Sequence, residues 1–136
     1  MAELPSAEFG FPGPLRDRLV AAILDGTKTS TTALLAAYLH ERLPLPEAGR
    51  RERVLDSSGR PVAVIEYTEV RVGTRRDVDR AFAVEEGEGF GSVDEWWESH
   101  AAFFSQPAIR EELGDPHFRV DDSTRLVLQR FRLVQS

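Results

Sequence analysis

Residues 50–72, RRERVLDSSGRPVAVIEYTEVRV, constrain the fold more than any other stretch of the chain. Two runs rich in β-branched residues flank DSSG, whose residues favour turns. The segment therefore predicts an antiparallel hairpin, with a short strand near 52–55 and a longer one near 61–72. A further strand-like run, TRLVLQRFRLV, lies near the end of the sequence. Arg130 and Arg132 are two apart in it and project to the same side of a sheet. The rest reads as helix and loop. In PGPLRDRLVAAILDG, Pro14 suits a first helical turn, and Leu15, Leu19 and Ile23 recur at i, i+4 and i+8. Ala22 and Leu24 widen that face, Gly26 is a natural stop, and Arg16, Asp17 and Arg18 are expected to face water. TKTSTT is too β-branched to extend the helix, so a turn or short extended segment is expected there. Thr31 or Thr32 then caps a second helix, ALLAAYLHERL, ended by Pro44 and Pro46.

Residues 1–11 read as an extended lead-in. A short helix from Asp77, with Val78 and Phe82 at i and i+4, leads into the loop EGEGFG. Ser92 and Glu95 form a capping box for a helix in which Trp96, His100 and Phe104 share a face, with Trp97 and Phe103 beside it, until Pro107 breaks it. The order helix, helix, strands, helix, helix, strand lacks regular β–α alternation. That disfavours a doubly wound parallel sheet and predicts an α+β fold, a small, mostly antiparallel sheet or barrel decorated by helices.

At 136 residues the chain is sized for a single domain. With 41% hydrophobic and 29% charged residues it is not a disordered sequence. It contains no cysteine, which excludes disulfides and thiolate metal sites and makes a reducing cytosol the simplest home. No apolar run approaches the ~20 residues of a membrane span, and MAELPSAEFGFPG lacks the basic start of a signal peptide. A cytoplasmic protein without membrane partners is expected. The net charge of −6 argues against a broad basic surface for duplex DNA or RNA. It leaves room for a small cationic pocket that holds one nucleotide or a short single strand.

Several groups are candidates for chemistry. Lys28 is the only lysine, against 16 arginines. An arginine stays protonated, whereas a lysine can lose its proton when desolvated or act as a compact point charge. Thr29, Ser30, Thr31 and Thr32 add hydroxyls beside it. In Glu85-Glu86-Gly87-Glu88-Gly89, glycines around carboxylates allow close backbone approach, and a glutamate in a cleft can act as general acid or base. Trp96, Trp97, His100, Phe103 and Phe104 fit either core packing or base stacking. Arg60, Arg119, Arg125, Arg130 and Arg132 fit a solvated surface or phosphate contacts. The scattered histidines give no zinc-like spacing, and GxSxG and Walker patterns are absent.

Taken in order, DGTKTSTTALL, GRPVAVIEYTEV, EEGEGFGSVDEWWESHAAFF and LVLQRFRLV resemble the ASCH domain family, whose β-barrel is related to PUA domains. The match runs over roughly residues 8–134, so residues 1–136 are expected to form a single ASCH domain. The resemblance implies a Lys-Thr loop lining a cleft against the barrel, with single-stranded RNA or a modified nucleoside as partner and no oligomeric state implied. Relatives similar in length and in the EGEG…W…H region look like ribonucleases acting on single strands, with the same lysine implicated. The leading expectation is therefore a hydrolase of single-stranded RNA in a cleft centred on Lys28, Arg130 assisting at the phosphate and a divalent metal admissible. Compact relatives look like amidohydrolases that remove the acetyl group from N4-acetylcytidine. Their lysine, threonine and glutamate carry over to Lys28, Thr31 and Glu88, with Glu86 the alternative glutamate. A non-catalytic RNA-binding module is the third reading. Thr29, Glu86, Trp97, His100 and Arg130 are the expected substrate-binding residues, and no metal ligand or cofactor is assigned. Two departures stand out. Phe90 replaces the aspartate common after EGEG, and the arginine that follows the threonines in the compact hydrolases is missing.

Overall fold

The structure is a computed structural model and describes residues 4–136, so the first three residues of the expected lead-in lie outside the described residues. The 50–72 segment forms the expected hairpin, β3 (Arg51–Leu55) and β4 (Pro61–Gly73). Its turn is held by Asp56, whose carboxylate accepts from the backbone N–H groups of Ser58 and Arg60. β5 (Leu126–Gln135) runs antiparallel along β4, with irregularities between Val64 and Ile65 and between Tyr67 and Glu69. β2 (Ser30–Leu34) pairs antiparallel with β5, and β1 (Ser6–Ala7) adds a parallel strand beside β3. The strand order is β1-β3-β4-β5-β2. This α+β architecture agrees with the expectation, but the sheet is open. Among the described residues no pairing joins β1 to β2, so the barrel closure is not seen.

Helices cover both faces. α1 (Pro14–Asp25) starts at Pro14 and ends at Gly26, whose φ of +88° is a left-handed value that suits glycine. It buries Leu19, Val20 and Ile23 against Val54, Ile65, Tyr67 and Phe131 on one face of the sheet. Leu24, expected on that face, is exposed. Arg16, expected in water, is buried because its guanidinium finds the carbonyls of Gly10 and Asp56 and the carboxylate of Glu8. The other face carries α3 (Arg80–Glu85), α4 (Val93–Phe104) and α5 (Pro107–Leu113), with a 3₁₀ turn at Arg75–Asp77 before them. Phe82, Trp96 and Phe104 pack there on Leu126 and Leu128. Side chains as fully buried as Phe82 and Trp96 cost about 3–5 kcal/mol to truncate to alanine.

Further local expectations change. The helix expected from Asp77 starts at Arg80 instead, because the Asp79 carboxylate accepts from the Phe82 N–H and caps it there, leaving Val78 between the 3₁₀ turn and α3. Residues 30–34 are a strand, so neither Thr31 nor Thr32 caps the next helix. α2 (Leu35–Glu41) begins after Leu34 instead, and the β-branched threonines pair with β5. Ser92 caps α4 through the N–H of Glu95, but the Glu95 carboxylate turns to the N–H of Gly91.

Candidate functional site

β2 lies at one end of the sheet, and a cleft of about 760 Å³ runs beside it. That volume is in the usual range for small-molecule sites. Its walls come from residues 5–12, α1, β2, α2, the Glu86–Glu88 loop and α4, with Gln129 of β5 and Tyr67 of β4.

The Lys28 loop is fixed by its own backbone. The Lys28 N–H bonds to the Ala22 carbonyl, and the Thr29 N–H donates to the Glu85 carbonyl at 2.7 Å. Gly87 lets the two loops meet. Its φ is +73°, and a Cβ there would sit 2.8 Å from backbone atoms of Thr27 and Lys28. The close approach expected of a glycine in EGEG is thus to the lysine loop.

This contact aims Lys28 inward, leaving its side chain 1% exposed. The Nζ group donates to the carbonyls of Ser30 (2.9 Å) and Glu86 (3.2 Å) and to Glu86 Oε1 (3.0 Å). Three oxygen acceptors around one nitrogen call for three N–H groups, the ammonium form. A tetrahedral donor serves this arrangement where a planar guanidinium does not. That is the physical reason for a lysine at position 28, and it leaves no lone pair for proton abstraction.

Glu86 is the hub. Besides Lys28, its Oε2 accepts from Thr32 Oγ1 (2.7 Å), Trp96 Nε1 (3.0 Å) and His100 Nε2 (3.1 Å). Burial by itself raises this carboxyl's pKa, but the charge of Lys28 and the His100 and Thr32 contacts override it and hold the group well below the usual carboxylate range. His100 stacks on Trp96 with ring centroids 4.5 Å apart, and its Nδ1 lies 2.8 Å from the Trp96 carbonyl. Both ring nitrogens face oxygens that only accept, so both carry protons and His100 is an imidazolium. Burial lowers its pKa, and the bond to Glu86 more than reverses this, for a net upward shift. Lys28, His100 and Glu86 together leave one net positive charge under the cleft.

Glu88 differs from all of these. It is exposed at the cleft, and its carboxylate has no hydrogen-bond partner among the described residues. Enough protein surrounds the carboxyl that desolvation raises its pKa; the charges of Lys28, His100 and Arg18 oppose the rise, the charge of Glu86 supports it, and the net shift is upward. Thr31 likewise lines the cleft with a hydroxyl that has no partner among the described residues.

The expected site residues thus divide. Lys28, Thr31, Glu86, Glu88 and His100 line one cleft. Thr29, Trp97 and Arg130 do not: Thr29 is tied into the sheet by its backbone, Trp97 packs on Trp96 and under the Arg75 guanidinium, and Arg130 pairs with Glu85 and Glu69. Thr32 and Trp96, named from the sequence only within the hydroxyl and aromatic groups and given no role at the site, complete the Glu86 shell. The strand parity of 30–34 would have put Thr32 with Ser30 on the Glu86 side, and Trp96 is one helical turn from His100. Phe90 packs on His100, with ring centroids 5.9 Å apart.

Glu86, Glu88 and His100 each bring one ligand-type atom within 4.8 Å of the others. They do not fit a resident metal ion. The proton on His100 Nε2 is directed at Glu86, and the Glu86 oxygens already take four donors, one of them an ammonium.

A sequence profile described as the ASCH domain matches residues 6–135. Among solved structures, a crystal structure of an ASCH domain from Lactobacillus crispatus JV V101 is 28% identical, with a TM-score of 0.82 over 98% of this chain and 80% of its own. A crystal structure of a protein from Enterococcus faecalis V583 is 31% identical, with a TM-score of 0.79 over 99% of this chain and 77% of its own. No curated protein matches the sequence. Among the described residues no helix is long and apolar enough to cross a membrane.

Proposed function

The chain belongs to the ASCH domain family, and on that premise we propose that its cleft binds an uncharged nucleoside and hydrolyses an amide on the base, the N4-acetylcytidine type of reaction. The observation that carries this reading is Glu88: an unpartnered carboxyl with a raised pKa beside a buried cluster of net positive charge. Ionised Glu88 takes a proton from water, and the resulting hydroxide adds to the acyl carbon. The oxyanion faces the field of Lys28 and His100 and accepts from the free Thr31 hydroxyl. Glu88 then returns the proton to the departing exocyclic nitrogen, the C–N bond breaks, and a carboxylic acid and an amine leave. The general base contributes about 10²–10⁴-fold and a well-placed oxyanion donor about 10²–10³-fold. In this scheme Lys28 acts through its charge and through the placement of Glu86.

Cleavage of single-stranded RNA is the competing reading, and the lining of the cleft disfavours it. Six glutamates face four arginines or lysines there, and Arg130, the candidate for phosphate contact, is bound to Glu85 and Glu69 outside it. A strand of phosphates needs cations to replace its counterions. Incubation with N4-acetylcytidine and, separately, with labelled single-stranded RNA tests the choice. Cytidine appearing in the first with intact strands in the second is expected. Shortened strands with intact N4-acetylcytidine would overturn the proposal.

A further inference from the structure

Gln129 is a buried polar residue that the scheme above does not use. It is 2% exposed, yet it lines the cleft. Its Nε2 donates to the Tyr38 hydroxyl at 3.1 Å, the only hydrogen bond its amide makes among the described residues. Among the described residues no fully enclosed side-chain nitrogen or oxygen lacks a partner, so the unbonded Oε1 keeps some contact with solvent. The Tyr38 hydroxyl accepts that bond and has no acceptor for its own proton among the described residues. The cleft therefore contains a free amide N–H, a free amide oxygen and a free O–H, all uncharged and held on a strand and a helix.

Their position relative to the reactive end is fixed by the sheet. Gln129 is the register partner of Thr31 across β5 and β2, so the two side chains project to the same face with Cβ atoms about 4.5–5.5 Å apart. An amide pinned on one side is suited to reading the edge of a base, because it offers a donor and an acceptor in one plane.

We infer that Gln129, buttressed by Tyr38, is the specificity-determining residue of the cleft, and that it donates its remaining N–H to the ring acceptor N3 and accepts from the N4–H of a cytosine-type base while the N4 acyl group lies toward Thr31 and Glu88. This deepens the proposed function and rests on it. A charged ligand finds no counter-charge in the pair, whereas a neutral heterocycle satisfies both groups.

The test is a cycle between protein and ligand. Affinities for N4-acetylcytidine and for its 3-deaza analogue, in which N3 is replaced by CH, are measured by titration calorimetry on wild type, Gln129→Leu and Tyr38→Phe. On wild type the 3-deaza analogue binds about tenfold more weakly, the equivalent of one hydrogen bond. On Gln129→Leu the parent nucleoside is weakened to a similar degree, and the 3-deaza change then costs nothing further. KM rises and kcat stays within about twofold, a split that a merely structural residue would not produce. Tyr38→Phe leaves the Gln129 shell folded and weakens both ligands by a smaller factor, so the question stays answerable if Gln129→Leu misfolds. Full additivity of the two losses, or unchanged affinity in Gln129→Leu, overturns this inference and leaves amide hydrolysis standing. Wild type that neither binds nor turns over N4-acetylcytidine overturns both.

Discussion

Replacing Glu86 by glutamine removes the one negative charge that holds Lys28 and His100 in the interior. The side chain is 2% exposed and accepts four hydrogen bonds, from Lys28, Thr32, Trp96 and His100. A glutamine keeps the shape but puts an NH₂ group against donors and strands an ammonium with no counter-charge. Breaking a buried pair in this way costs about 3–5 kcal/mol. In a domain of this size that corresponds to a fall in Tm on the order of 10–15 °C. Urea denaturation followed by tryptophan fluorescence reads it as a lower midpoint at unchanged m. The effect depends on pH in a definite sense. The folded-state pKa of Glu86 is depressed, so its contribution is full above the ordinary carboxylate range and is lost as pH falls through the depressed value. That of His100 is raised, so its contribution is full below about pH 6.5 and is lost as pH rises through the raised value. The gap between wild type and Glu86→Gln is therefore widest between these limits and narrows in acid. Adding Lys28→Met to Glu86→Gln restores part of the loss, because the stranded charge is gone. A Tm within about 2 °C of wild type near pH 6, or a gap indifferent to pH, would refute the ion-pair account.

Other outcomes follow from the same geometry. Lys28→Arg should destabilise the fold and lower turnover despite keeping the charge, since a planar fork does not meet the oxygens of Ser30 and Glu86 together; chemical denaturation and kcat check it. Gly87→Ala should cost more than the ~1 kcal/mol of an ordinary strained position, because its Cβ meets the Lys28 backbone as well as an unfavourable φ; thermal melting measures it. Arg130→Ala should leave KM for the nucleoside unchanged, because its guanidinium is engaged with Glu85 and Glu69 away from the cleft; a rise in KM of tenfold or more would put it in the site.

Much of the fold was legible because it depends on local pattern. The DSSG hairpin, the Pro14-to-Gly26 helix, the break at Pro107 and the last strand each carry their own punctuation. The strand at 30–34 was harder to read, since its own last residues, the helix formers Ala33 and Leu34, extend the pattern of α2. Its identity is decided by pairing with β5, a contact between positions a hundred residues apart. Arg16 was misplaced for a similar reason: the carbonyls that bury it come from Gly10 and from Asp56 in the distant hairpin turn. In the site, the lone lysine and the EGEG loop pointed to Lys28, Glu86 and Glu88, but only coordinates reveal that Glu86 is saturated while Glu88 is free. Gln129 gave no signal at all, because a glutamine in a strand looks like a solvated face until the cleft beside β2 is seen.

The dependence of acetyl release from N4-acetylcytidine on pH, measured as kcat/KM for wild type and Glu88→Gln, tests the central claim most directly. The base form of Glu88 is the active one and its pKa is raised, so the wild-type rate climbs through an acid limb lying above the ordinary glutamate value of 4.5. In Glu88→Gln that limb disappears and the rate falls by about 10²–10⁴-fold, with the melting temperature at neutral pH no lower than that of wild type, because an ionised carboxyl of raised pKa costs the fold stability. A Glu88→Gln protein that retains the wild-type rate and the wild-type limb would contradict the assignment.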